Sequence, residues 1–255
     1  LDLQLGRIDF DDEREWLYDQ NLDGVRLFHF NRFFVTEFSV STTLSNGSPR
    51  DENAVNSMLY LSNGNEDRHL AAYVIHRDFD LAVPEKQTHL GVRVLGEWLP
   101  KSKGWLEVSR MIGELGALET GGWGYDVGNT FSFDSGFNVT LGYAWGEGDD
   151  TGTPRVENFR QTGLQDNNAK FAGVTSFRYY GELADPELVN LRILTAGLGF
   201  RFPQRISIDL IGHQYRQDRL SRRWIESDID KRPNGRDKDL GWELDFILGW
   251  RTHPS

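Results

Sequence analysis

The sequence contains no cysteine, which excludes disulfides, thiol chemistry and cysteine-ligated metal sites. A cysteine-free chain is compatible with the periplasm or the outer membrane. No stretch reaches the ~20 consecutive apolar residues of a membrane-spanning helix, and apolar residues make up only 38% of the chain. Positive charge is scarce. Against 39 Asp and Glu stand 28 Lys and Arg, a net charge of −11, so a polyanionic nucleic acid is repelled on average. No leader sequence or initiator Met is visible in these residues, and Leu1 already lies in an alternating segment. A fragment or a processed product is therefore expected.

What the chain does contain is period-two alternation. In Asp239 to Arg251 one face carries Leu240, Trp242, Leu244, Phe246, Leu248 and Trp250; the other carries Asp239, Gly241, Glu243, Asp245, Ile247, Gly249 and Arg251. Phe137 to Gly146, Tyr125 to Asp134 and Leu90 to Trp98 repeat the pattern. A soluble β-sandwich also alternates. Two features favour a membrane barrel: segments of about 10 residues or more, and aromatics near segment ends. Those aromatics are Trp98, Trp105, Trp145 and Trp250. The expected fold is all-β, one antiparallel transmembrane barrel domain over 1–255, with about twelve strands present.

Strands are expected near 1–10, 22–30, 33–43, 55–62, 69–79, 87–98, 104–116, 122–133, 136–147, 189–202, 205–216 and 238–251. Short connections at Asn31-Arg32, Asn63-Gly64-Asn65, Pro100 to Lys103, Asp134-Ser135-Gly136 and Pro203-Gln204 alternate with long ones at 11–21, 44–54, 148–188 and 217–237. Medium ones at 80–86 and 117–121 complete the series. Bacterial barrels pair short periplasmic turns with long extracellular loops. Thr175 to Leu183 could form a further strand, but counting it breaks the length rule, so 148–188 is taken as one long extracellular loop that can fold inward as a partial gate. Asp185 and Pro186 suggest a helical turn there.

Two stretches carry a family resemblance. One is Leu3-Gln4-Leu5-Gly6-Arg7-Ile8-Asp9-Phe10-Asp11-Asp12-Glu13-Arg14-Glu15-Trp16, running on to Asn21-Leu22-Asp23-Gly24-Val25-Arg26. The other is Asn158-Phe159-Arg160-Gln161-Thr162-Gly163-Leu164-Gln165-Asp166-Asn167, followed by Phe177-Arg178-Tyr179-Tyr180-Gly181-Glu182 and Asn190-Leu191-Arg192. With Asp239-Leu240-Gly241 and Glu243-Leu244-Asp245, they resemble the alginate-export porin family of the outer membrane. The resemblance implies a wide monomeric barrel of about eighteen strands, of which this chain would be the middle and later part, lacking strands at both ends. It also implies diffusive passage of an acidic polysaccharide such as alginate through an arginine-lined constriction. The partners implied are that polysaccharide, outer-membrane lipid and periplasmic export machinery, with no cofactor and no enzymatic step. A complete twelve-strand barrel is the structural alternative. A soluble carbohydrate-binding β-sandwich or glycosidase, and a non-conducting barrel scaffold of a secretion complex, are the functional ones.

If apolar faces meet lipid, the opposite faces line the lumen. That places Arg26, Glu37, His89, Arg93, Glu97, Asp209, His213, Glu243 and Asp245 inside, and Arg7 too by the resemblance. Most such charges form lateral Arg–carboxylate ladders rather than touch substrate, and Arg93 and Glu97 share one strand face. Arg160, Arg178 and Arg192 are candidates for the loop or gate. The run Arg216, Arg219, Arg222, Arg223 reads as a solvated loop, offset by Asp218, Glu226 and Asp228. Asp11-Asp12-Glu13 with Glu15 lacks the spacing of a calcium loop, and paired carboxylates are too common here to mark a glycosidase. Gly121-Gly122-Trp123-Gly124 precedes no helix or Lys that would cradle phosphate. The 6 His form no zinc-like pair on a helix.

Overall fold

The computed structural model describes residues 1–44, 54–65, 68–149, 156, 158–224, 227–229 and 232–252. In chain order the strands are β1 (Asp2–Asp11), β2 (Asp19–Phe30), β3 (Val35–Thr42), β4 (Ala54–Asn65), β5 (Arg68–Phe79), β6 (Glu85–Gly96) and β7 (Ser102–Leu115). They continue with β8 (Leu118–Ser132), β9 (Phe137–Gly146), β10 (Asn168–Ala169), β11 (Phe177–Arg178), β12 (Leu191–Phe202), β13 (Ile206–Gln217) and β14 (Asp239–Trp250). Twelve of them make one antiparallel barrel wall in the order β1 to β9, β12, β13, β14. All twelve expected wall strands are present, their ends shifted by a few residues.

The faces are inverted relative to a soluble protein. On β14, Trp242 is 78% exposed and Phe246 66%, whereas Glu243 is 8% and Asp245 9% exposed. On β12, Leu194 and Leu198 are exposed while Thr195 between them is buried. An apolar exterior over a polar interior suits lipid outside, because the ladders between neighbouring strands pair the backbone within the wall and leave side chains to meet hydrocarbon. The same alternation turns one expected girdle residue inward. Trp105 is buried, and its Nε1 donates to Asp126 at 2.8 Å, whereas Trp98 and Trp250 are exposed as expected.

Connections also sort as expected. One end of the wall has short turns at 31–34, 97–101, 133–136 and 203–205; the other carries 12–18, 80–84, 147–190 and 218–238. The loop expected at 44–54 lies almost wholly outside the described residues. The expected medium loop 117–121 is instead a tight turn at Gly116-Ala117, with Leu115 paired to Leu118 and Gly116 at a φ of +60°.

The 147–190 connection, here called the insert, does not stand away from the barrel. Phe159, Leu164, Phe171, Phe177, Tyr179, Tyr180 and Leu188 from it join Trp16, Leu17, Met111 and Tyr215 in one buried cluster. Its β10 and β11 pair only with each other, so the 175–183 segment adds no wall strand. The helical turn expected at Asp185-Pro186 does not form. Asp185 has a φ of +36°, and its carboxylate pairs with Arg178 Nη1 at 2.7 Å.

Candidate functional site: a lumen with an internal insert

The insert enters at the long-connection end, where Phe159 N donates to Glu147 O at 3.0 Å. Glycines make room for it. Gly122 and Gly124 face inward on β8, and a Cβ on either would collide with Phe159. The glycine run of the sequence thus serves close packing. The chain then lies on the 12–18 loop. Asp19 N donates to Leu164 O at 2.6 Å, Gln161 Nε2 to Trp16 O at 2.5 Å, and Thr162 Oγ1 to Leu17 O. Trp16 stacks on Phe159 at 5.8 Å, and its Nε1 donates to Tyr180 OH at 2.8 Å. The tip reaches the short-turn end. There Phe171 stacks on Trp105 at 5.8 Å, and Val174 N donates to Ser207 Oγ at 2.9 Å. On the return, Leu183 N and Ala184 N donate to the Glu243 carboxylate at 2.6 and 3.1 Å, and Tyr215 OH donates to Tyr180 O at 2.7 Å.

Arg93 is a buried cation of the interior network, 1% exposed. It forms a two-pronged pair with Glu107, Nε to Oε2 and Nη2 to Oε1 both at 2.8 Å. It also reaches Asp12 at 2.8 Å and Glu13 at 2.6 Å. Asp12 in turn accepts the amides of Arg14, Trp16, Leu17 and Tyr18. Burial opposes its ionisation, but Arg93 and those amides outweigh it and hold the carboxyl below its ordinary range. Asp12 and Glu13 therefore fasten a loop to the wall. Arg14, between the rings of Trp105 and Tyr179 at 4.4 and 4.5 Å, pairs with Asp126 at 2.7 Å.

Of the residues expected inside, Arg26 and Glu37 form a rung (2.5 and 3.0 Å). His213 bonds Thr195 Oγ1 at 3.0 Å and lies 3.5 Å from Asp245. His89 is fully buried with its ring edge-on to Phe159, and Asp209 lies beside the insert's Gly173. Glu97 sits at the short-turn rim, where its carboxylate accepts Lys101 N at 2.7 Å rather than pairing with Arg93. Arg7 corrects the expectation. It shares the outward row with Leu3 and Leu5 and pairs with Asp23 at 2.8 Å. Arg192 is also outward, paired with Asp218. Arg160 and Arg178 belong to the insert; Arg178 pairs with Asp185, as above.

Three interior cations escaped the sequence reading. Lys103 on β7, Lys170 in the insert and Arg201 on β12 line a cavity of about 620 Å³ at the short-turn end, whose lining also includes Phe171, Asn138, Thr130, Glu97 and the paired Lys101 and Asp134. None of the three has a carboxylate partner within 4.0 Å among the described residues. Alternation could have found two of them: Lys103 precedes inward Trp105 by two positions, and Arg201 follows inward Gly199 by two. Nothing in the sequence points to Lys170. The opposite end is acidic, with a cavity of about 360 Å³ lined by Asp166, Asp185, Glu187 and Asp228.

Close by, Glu15, Asp19 and Asp166 bring carboxylate oxygens within 4.8 Å of one another at the seam between the 12–18 loop and the insert. Burial, then Asp19 and Asp166, push Glu15 up to about 7, with Asp12 adding to the rise and the Asn168 amide opposing it. Its folded value exceeds the ordinary 4.5, so its contribution to seam stability is complete below pH 4.5 and is lost as pH rises through 7. Amide exchange at Asp19, whose N–H donates to Leu164 O, is therefore expected to quicken across that window once corrected for its intrinsic rate. Glu15→Gln should flatten the dependence. A pH-independent wild type would refute the seam's electrostatics.

A model of the alginate export family matches residues 1–255. Among curated proteins, the alginate production protein AlgE of Azotobacter vinelandii is 30% identical over 150 residues, 51% of this chain and 28% of that protein. The alginate production protein AlgE of Pseudomonas aeruginosa is 29% identical over 135 residues, 49% of this chain and 26% of that protein. The chain thus spans about a quarter of the length of the curated relatives it matches.

Proposed function

Since this chain belongs to the alginate export family, we propose that it forms the wall and inner gate of an outer-membrane channel through which an acidic polysaccharide such as alginate leaves the cell by diffusion. No bond is made or broken in this reading. The observation that carries it is the net cationic vestibule inside the short-turn end, where Lys101, Lys103, Lys170 and Arg201 outnumber Glu97 and Asp134. Short turns face the periplasm in bacterial barrels, so the vestibule stands where a polyanion, delivered by periplasmic export machinery to a single barrel, would enter. The acidic cavity stands at the exit and accommodates the chain's excess of acid. A polyanion is drawn in at one end and finds no tight site at the other, as a pore with easy release requires. A guanidinium offers a uronate two parallel hydrogen bonds and an ammonium a mobile point charge.

Planar-bilayer recording of the full-length protein tests this. The triple variant Lys103→Gln, Lys170→Gln, Arg201→Gln is expected to shift the reversal potential away from anion preference and to weaken current block by oligouronates added on the periplasmic side. An unchanged reversal potential together with unchanged block would eliminate the vestibule as the entry site.

A further inference from the structure

The outward faces of β12 and β13 change character over one row. Leu194 and Leu198 on β12 and Leu210 on β13 are exposed and apolar. At the long-connection end this band stops at Arg192 and Arg216, which stand directly opposite each other across the ladder. Like charges in such a pair repel. Arg192 is compensated by Asp218, its Nε at 2.9 Å and Nη2 at 2.5 Å. Asp218 is also 3.8 Å from Arg219. Arg216 is exposed and has no carboxylate within 4.0 Å among the described residues. Asp239 stands across from it after a register shift, but its carboxylate accepts Gly241 N at 3.0 Å. On its other side Arg192 faces Trp145, which packs on Tyr125 at 5.3 Å. Two guanidiniums thus share one close carboxylate and a third has none, beside an aromatic shelf, at the upper edge of an apolar band.

We propose that this corner binds the phosphate of a glycolipid headgroup in the outer leaflet, with its acyl chains lying on Leu194, Leu198 and Leu210. Guanidinium forks match phosphate oxygens in pairs, and aromatic rings belong at headgroup level. A lipid is the occupant because free phosphate would leave the apolar face directly beneath unused. The proposal rests on the outward face meeting lipid.

The test is lipid binding by the detergent-purified protein, counted by native mass spectrometry, with bisphosphorylated lipid A and with lipid A stripped of its phosphates. The phosphorylated form is expected to bind about tenfold more tightly. That preference should vanish in the Arg192→Gln/Arg216→Gln double variant and weaken in Arg216→Gln, which leaves the Arg192–Asp218 pair intact. Arg68→Gln, on the outward face at the opposite rim, should keep it. Equal binding of the two lipids, or full preference in the double variant, overturns the proposal, as does inorganic phosphate binding as tightly as the lipid. A protein that never enters vesicles would instead sink the channel reading itself. One that enters them without headgroup preference sinks only this site.

Discussion

Excising residues 158–188 and closing the gap with a short Gly–Ser linker is expected to raise single-channel conductance several-fold while leaving the wall able to insert into vesicles. The insert packs Phe159, Leu164, Phe171, Tyr179, Tyr180 and Leu188 against the inner wall, occupying space that an ion or a sugar would need. The wall's ladders run from wall strand to wall strand; insert backbone joins them through the Thr120–Val156 bridge, which this excision leaves in place, and through Asp19 N donating to Leu164 O. Glu243 and Tyr215, which hold insert backbone at present, would exchange those partners for water. Conductance equal to wild type, in a variant that still inserts, would mean that the insert does not limit the path.

The second large effect concerns stability. Arg93→Met is expected to destabilise the fold by about 3–5 kcal/mol, the cost of removing one partner from a buried ion network and leaving the others uncompensated. Asp12 and Glu107 are fully buried at their side chains, so neither can recruit water cheaply. Arg93→Lys should restore only part of the loss, because an ammonium cannot reproduce the two-pronged contact with Glu107. Adding Glu107→Gln to Arg93→Met should recover part of it by removing one stranded charge. The readout is the denaturant midpoint in detergent. A loss below about 1 kcal/mol would place Arg93 among exposed, weak pairs and undo the fastening role assigned to Asp12.

These outcomes depart from what the sequence suggests of Arg93, and the reason is physical. Lumen orientation was legible, since alternation alone puts Arg93 opposite Val92 and Val94. Its compensation was not, because two of its carboxylates, Asp12 and Glu13, come from a loop some eighty positions away. The wall itself was readable because each strand records its environment locally, with apolar side chains toward lipid at every second position. The insert has no such period. Its side chains answer to a lumen assembled from β5, β7, β8, β13 and β14, so neither its inward course nor Lys170 could be read from neighbours in sequence. At Asp185-Pro186 a local signal was present and lost, because the Arg178 pair holds Asp185 where no helix can start.

The glycine-lined wall has a mechanical consequence. Phe159 is seated against Gly122 and Gly124, and Leu188 against Gly146, so the root of the insert is keyed into the wall and cannot slide along the axis like a piston. The tip, seated on Gly249 through Val174, has fewer hydrogen bonds: beside the Phe171–Trp105 stack it is held by the Ser207 hydrogen bond and by Arg251 Nη2 donating to Val174 O at 3.3 Å. A pull on the tip is borne by few contacts at a time, whereas the same pull at the root must break the keyed contacts together. The path of least resistance is peeling that starts at the tip, so a force arriving from the short-turn side meets the weaker latch and one from the opposite side meets the stronger.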